Sequence, residues 1–180
     1  VTTPDLNFVD YTYDAAGNVL TATNYTNGVA AVTSYTYDLN NRLITVTSPK
    51  METTEYTYLP MGELIQIKDP KSKLTTFEYD RRGLLIRKTN PEGFVHQFTY
   101  DNLGNIISSI DPNGQVKSFE YNANNKLTKS ILPDETLQYA YDLKDQISEV
   151  SSSTGNRISY IRDQNDQLIT EQNYWNTIGY

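Results

Sequence analysis

The sequence predicts an all-β protein: about eight tandem β-hairpin repeats of about 21 residues, forming a curved or spiralling antiparallel sheet. Three observations carry this expectation. A unit with two aromatics recurs at nearly constant spacing, a turn signal follows each unit, and an aliphatic residue stands six positions beyond each anchor.

The unit is clearest in Phe98-Thr99-Tyr100-Asp101-Asn102-Leu103-Gly104-Asn105-Ile106. Aligned on the second aromatic, the anchors are Tyr13, Tyr37, Tyr58, Tyr79, Tyr100, Tyr121 and Tyr141, with Arg162 as a degenerate eighth. Their spacings are 24, 21, 21, 21, 21, 20 and 21 residues. A fixed period in this range marks a repeat architecture. Two residues before each anchor stands another aromatic: Tyr11, Tyr35, Tyr56, Phe77, Phe98, Phe119, Tyr139 and Tyr160. Side chains at i and i+2 share one face of a strand, and aromatics favour strands.

The turn follows from the next residues. Directly after the anchor come Asp14, Asp38, Leu59, Asp80, Asp101, Asn122, Asp142 and Asp163. Three positions further on are Gly17, Asn41, Gly62, Gly83, Gly104, Asn125, Asp145 and Asp166, all types that tolerate a positive φ. Asp or Asn opening the turn and Gly or Asn closing it describe a type I turn with a left-handed bulge residue. That turn pairs each anchor with the residue six positions on: Val19, Leu43, Leu64, Leu85, Ile106, Leu127, Ile147 or Leu168. Aromatic against aliphatic is a favourable cross-strand pair.

Taken in order, residues 1–10 read as a lead-in, 11–171 as the repeat array, and 172–180 as a tail or the start of a further strand. The first unit opens near Tyr11, and its second strand runs from about Val19 to Tyr25, followed by an Asn27-Gly28 turn. The three residues that lengthen the first spacing are expected there, in a longer loop or bulge. Later second strands end at Ser48-Pro49-Lys50, Asp69-Pro70-Lys71, Asn90-Pro91-Glu92-Gly93, Asp111-Pro112-Asn113-Gly114 and Leu132-Pro133-Asp134-Glu135. Proline presets φ at the second turn position. The last two units are degraded, with Arg162 at the anchor and Ser151-Ser152-Ser153-Thr154-Gly155 in place of the proline turn.

No apolar spacing of 3.6 persists long enough to predict a helix. Adjacent apolar pairs such as Leu43-Ile44, Leu64-Ile65 and Ile106-Ile107 point to opposite faces of an ideal strand. Both faces are therefore expected to be partly apolar, with the second face meeting another layer, a partner chain or the rest of a larger protein.

Composition narrows the function. The chain has 180 residues, 15 of them Tyr and none Cys. Disulfide frameworks, thiolate metal sites and cysteine nucleophiles are excluded. A net charge of -7 argues against nucleic acid and against anionic membranes. No apolar run approaches the roughly 18 residues of a spanning helix, so no membrane insertion is expected.

The unit Tyr-x-Tyr-Asp-x-x-Gly-x-Leu, with Asp-Pro-x-Gly turns between its copies, resembles the YD repeat. That is the repeat of rearrangement-hotspot (Rhs) proteins, of the shells of insecticidal toxin complexes, of wall-associated bacterial toxins and of teneurins. The resemblance covers about residues 11–171. It implies a ribbon that spirals into a hollow shell around a C-terminal polypeptide toxin, in a secreted or cell-surface bacterial protein. The implied partners are the rest of the shell and the enclosed toxin. Eight units are fewer than such shells use, so a segment of a larger shell is expected, able to self-associate in isolation. Some members also cleave themselves through aspartates in a segment after the repeats. Asp69-Pro70 and Asp111-Pro112 sit instead at inter-strand turns, and that activity is not carried over.

Chemical readings compete weakly with this one. His96 is the only histidine and has no partner motif. The recurrent Asp14, Asp38, Asp80, Asp101, Asp142 and Asp163 offer oxygens to calcium, but one Asp per hairpin is what an Asx-capped turn requires. Glu52 with Glu55, and Glu78 with Asp80, lack the convergence that glycoside hydrolysis needs. No catalytic residue, metal or cofactor is expected. The repeat residues Tyr13, Asp14, Gly17, Tyr37, Asp38, Tyr58, Gly62, Tyr79, Asp80, Gly83, Tyr100, Asp101, Gly104, Tyr121, Tyr141 and Asp142 are assigned structural roles. The alternative is an adhesin-like surface that stacks carbohydrate on its aromatics, although such repeats depend on Trp and only Trp175 is present.

Overall fold

The computed structural model describes residues 7–174 except 164 and 166. Among the described residues there are sixteen strands and no helix. The chain divides into two compact units, residues 1–94 and 95–180.

The first unit holds β1 (Phe8–Tyr13), β2 (Val19–Thr26), β3 (Val29–Tyr37), β4 (Leu43–Thr47), β5 (Thr53–Tyr58), β6 (Leu64–Lys68), β7 (Leu74–Tyr79) and β8 (Leu85–Thr89). The second holds β9 (Val95–Tyr100), β10 (Ile106–Ile110), β11 (Val116–Tyr121), β12 (Leu127–Ile131), β13 (Thr136–Tyr141), β14 (Ile147–Ser152), β15 (Arg157–Arg162) and β16 (Leu168–Tyr174). Within each unit every strand pairs antiparallel with its sequence neighbour, a pure meander of four hairpins. The expected all-β hairpin array is the observed fold.

Each hairpin closes through the same turn. In the first, the Asp14 N–H donates to the Asn18 carbonyl at 2.9 Å and the Gly17 N–H donates back to the Asp14 carbonyl at 3.1 Å. The Asp14 carboxylate accepts the N–H groups of Ala16 and Asn18 at 2.9 and 2.8 Å. Asn122 does the same for Asn124 and Lys126, both at 3.0 Å. An Asx side chain thus satisfies two donors that the turn would otherwise leave to water. Positive φ follows at Gly17, Asn41, Gly62, Gly83, Gly104, Asn125 and Asp145. Asp166 lies outside the described residues.

Connections between hairpins that start at Ser48, Asp69, Asp111 and Ser152 repeat the same geometry at the other end, as at Asp69, whose N–H reaches the Lys73 carbonyl at 2.9 Å; the Asn27 and Leu132 connections are shorter. Ser152 builds it too: its N–H donates to the Asn156 carbonyl at 2.8 Å, and its hydroxyl accepts the Thr154 N–H at 3.0 Å. The serine stretch is therefore an intact turn with Ser in the Asp role, and not a degraded one.

Two further expectations are corrected. The three extra residues of the first period do not form a loop. Asn27-Gly28 is a two-residue turn with φ of 52° and 76°, and the extra length goes into β2 and β3, of 8 and 9 residues. Positive φ at both central positions is the tight hairpin turn that suits strand twist. The first strand also starts earlier than Tyr11, at Phe8.

The second correction concerns the faces. Tyr37 pairs with Leu43, but Thr36 pairs with Thr45, so Leu43 and Ile44 together oppose one residue. This is a β-bulge, and the same shift recurs in the other hairpins. Thr36 and Thr45 meet through their hydroxyls at 2.6 Å on one face, which puts Ile44 on the other, beside Tyr37 and its partner Leu43. The bulge thus turns both members of each apolar pair toward the aromatic face. The opposite face is largely polar and carries the cross-strand ion pairs Lys68–Glu55, Arg87–Glu78 and Lys129–Glu120.

Neither unit has a conventional core. No described hydrophobic side chain is fully buried, and the most buried described residue is Ser130, 4% exposed. The aromatics of the inner hairpins are half-buried in a single layer.

Candidate functional site: the tyrosine face and its seams

The seam between neighbouring hairpins is where the fold needs help. Within a hairpin the ladder reaches the anchor, as at Tyr58↔Leu64. Between hairpins it stops early: β4 and β5 pair only at Thr45↔Glu55, Val46↔Thr54 and Thr47↔Thr53. Tyr58 and Leu43 both lie beyond the last β4–β5 pair.

The anchor hydroxyl fills that gap. Tyr58 donates to the Leu43 carbonyl at 2.9 Å, Tyr37 to Val19 at 2.9 Å, and Tyr79 to Leu64 at 2.8 Å. In the second unit Tyr121 donates to Ile106 at 2.9 Å and Tyr141 to Leu127 at 2.7 Å. Every acceptor is the first bulge residue of the preceding hairpin. Each ring therefore lies back over the hairpin before it and staples the seam. Partial burial beneath neighbouring side chains pushes the phenols of Tyr58, Tyr79, Tyr121 and Tyr141 above their ordinary pKa.

Polar side chains close the same seam at the turn. The Asn18 amide donates to Asp14 and, at 2.8 Å, to Asn41 of the next hairpin. Arg42 binds Asp38 at 2.7 Å, reaches the Leu59 carbonyl at 2.8 Å, and lies 4.9 Å from the centre of the Tyr58 ring. Asn105 repeats the Asn18 arrangement with Asp101 and Asn125.

These bonds account for the electrostatics. The Asn18 amide and N–H hold Asp14 below the usual carboxylate range. The Arg42 N–H, then its guanidinium, do so for Asp38; Asn105 does so for Asp101, and the Gln146 N–H for Asp142. At Asp80, partial desolvation raises the pKa but is outweighed by the N–H groups of Leu84 and Arg82.

The residues with chemical potential are thus placed apart and used locally. Among the described residues no three His, Asp or Glu side chains converge as a metal site would require. His96 is exposed on β9. Glu55 faces Lys68, Glu78 faces Arg87, and Asp80 caps its turn with Arg82 beside it. Trp175 lies outside the described residues. Arg162 pairs with Leu168 as the tyrosines pair with their partners, and its charge helps to lower Asp142. Its Nε, however, is buried without a hydrogen-bond partner.

The hydroxyl staple was missed in the sequence, although a signal was present. The position two before the anchor is Phe three times, whereas the anchor itself is never Phe.

A meander of hairpins with one aromatic face, capped turns and stapled seams defines a YD-type repeat scaffold. The chain belongs to the Teneurin YD-shell family, which matches residues 3–177. It is a structural shell segment. No curated protein sequence matches it. Among solved structures, it is similar to the crystal structure of TcdB2-TccC3-TEV, at 16% identity and a TM-score of 0.75, over 94% of this chain and 10% of that one. It is also similar to TcdB2-TccC3 without the hypervariable C-terminal region, at 15% identity and a TM-score of 0.62, over 91% and 12%. The Photorhabdus luminescens Tc holotoxin pore gives 15% identity and a TM-score of 0.57, over 92% and 12%. At these identities the likeness shows the fold, and the chain spans about a tenth of the structures it matches.

Proposed function

We propose that this chain is a non-catalytic wall segment of a larger YD-repeat shell that encloses a C-terminal polypeptide toxin, in a secreted or cell-surface protein. The observation that carries the reading is the commitment of its reactive-looking groups to folding. The turn aspartates accept backbone N–H groups, and the hydroxyls of Tyr37, Tyr58, Tyr79, Tyr121 and Tyr141 are spent on carbonyls. Such a wall is extensible one hairpin at a time, because each hairpin meets only its neighbours. The repeat residues Tyr37, Tyr58, Tyr79, Tyr121 and Tyr141, with their Asp and Gly turn positions, are assigned structural roles in that wall.

The carbohydrate-binding alternative needs a row of free aromatic faces and hydroxyls. The inner anchors are half-buried with their hydroxyls occupied, which favours packing. The test uses the natural polypeptide that carries these repeats. Under limited proteolysis, the C-terminal polypeptide should survive much longer within it than when expressed alone. Equal digestion rates would contradict enclosure. A glycan array with a reproducible hit abolished by Tyr→Ala substitutions on this face would favour the alternative.

A further inference from the structure

The dipeptide Asn-Gly occurs twice, at Asn27-Gly28 and Asn113-Gly114, each time in a connection between hairpins. In this dipeptide the glycine nitrogen can attack the asparagine side-chain amide, because no Cβ on the glycine obstructs the approach. Ring closure forms a bond from that nitrogen to Cγ, breaks the bond from Cγ to the amide nitrogen and releases ammonia. Water then opens the imide at either carbonyl and leaves aspartate or isoaspartate. The two sites are equivalent in sequence and differ in structure.

At Asn113-Gly114 the attacking group is engaged. The Gly114 N–H donates to the Asp111 carbonyl at 3.0 Å, and the Asn113 N–H donates to the Asp111 carboxylate at 2.9 Å. Both bonds must open before the glycine nitrogen and the side chain can meet. The carboxylate also opposes any negative charge that develops on that nitrogen. Asn27-Gly28 has no such cap. It is a two-residue turn set between the paired ends Thr26 and Val29. Among the described residues no turn hydrogen bond engages the Gly28 N–H, and the Asn27 side chain has no partner. Both residues are exposed to water.

We propose that Asn27 is a site of spontaneous deamidation and that Asn113 is protected by its turn. The two products differ in consequence. Aspartate at position 27 keeps the left-handed conformation that Asn27 adopts, with φ of 52°. Isoaspartate inserts a methylene into the main chain, which no longer fits a two-residue turn matched to strand twist. The β2–β3 ladder joins the first two hairpins from Thr26↔Val29 to Thr21↔Ser34, and it then frays from its turn end. The change gives the wall an ageing site at one seam, whatever the wall encloses.

The experiment incubates the natural polypeptide that carries these repeats in mildly alkaline buffer. Peptide mapping by mass spectrometry, with enzymatic methylation of isoaspartate, follows both dipeptides. In the folded protein Asn27 should convert about tenfold faster than Asn113, the worth of the turn bonds that must open at Asn113. In concentrated urea the two should convert at similar rates, because the turns are gone. Asp111→Ala removes the carboxylate, and it should speed conversion at Asn113 while leaving Asn27 unchanged; circular dichroism checks that this variant keeps its strands. Equal rates in the folded protein would overturn the proposal. So would an Asn27 that reacts in urea but is inert when folded, or an Asn113 rate that ignores Asp111→Ala. None of these outcomes touches the enclosure reading, which is tested by proteolysis of the C-terminal polypeptide.

Discussion

At the scale of single residues, the chain separates two roles that look alike in sequence. Tyr56 and Tyr58 share a strand and a face, yet only Tyr58 spends its hydroxyl on the neighbouring hairpin. The turn carboxylates show the same economy, each holding two backbone N–H groups. The depressed pKa values of Asp14, Asp38, Asp80, Asp101 and Asp142 link stability to pH with a definite sign. A carboxylate lowered in the folded state contributes stability that is complete above the unfolded value of about 3.9 and is lost as pH falls through the folded value. Asp14→Asn keeps the acceptor, as Asn122 shows, but removes one titrating group. Urea unfolding of this variant between about pH 5 and pH 2 should show a shallower loss of stability than the parent. An unchanged slope would mean that the Asp14 turn is not formed in solution.

At the scale of the hairpin, the turn and the bulge act together. The bulge re-aims the apolar pair, so the sheet has one aromatic face where period-two counting predicts two mixed ones. The left-handed exit residue makes the turn possible. Gly62 has a φ of 116° with open space around its Cα, so Gly62→Ala meets no clash and only torsional strain. It should cost about 1–2 kcal/mol in thermal or urea unfolding. Arg162 is the converse case. It occupies an anchor position but leaves its Nε unpartnered. Arg162→Tyr should restore a staple to the Ile147 carbonyl and raise stability by about 1 kcal/mol. A loss on that substitution would show that the charge near Asp142 matters more than the staple.

The hairpins themselves were legible in the sequence because their determinants are local. Asp14 and Gly17 lie three residues apart, and the Tyr13↔Val19 pair follows from that turn alone. The seams were not legible in the same way. A bond from Tyr58 to Leu43 spans 15 residues, and it depends on a ladder stopping short, which no periodicity reveals. The faces were misread at Leu43-Ile44 for a related reason: alternation holds only while the strand is regular. Serine at position 152 hid an intact turn because a hydroxyl replaces a carboxylate there with the same acceptor geometry.

For the whole molecule, stability comes from repetition and not from depth. With no fully buried hydrophobic side chain among the described residues, each unit depends on the half-buried rings and on the bonds that hold them over the preceding hairpin. That arrangement suits a wall built one hairpin at a time, with an aromatic face and a polar one. The most direct test compares two double variants by urea unfolding. Tyr58→Phe with Tyr79→Phe removes two staples and should cost about 2 kcal/mol in total. Tyr35→Phe with Tyr56→Phe removes two hydroxyls from rings on the same face that make no such bond, and should change stability by less than about 0.5 kcal/mol. Equal losses from the two pairs would contradict the account, because the anchor tyrosines would then be ordinary packing residues.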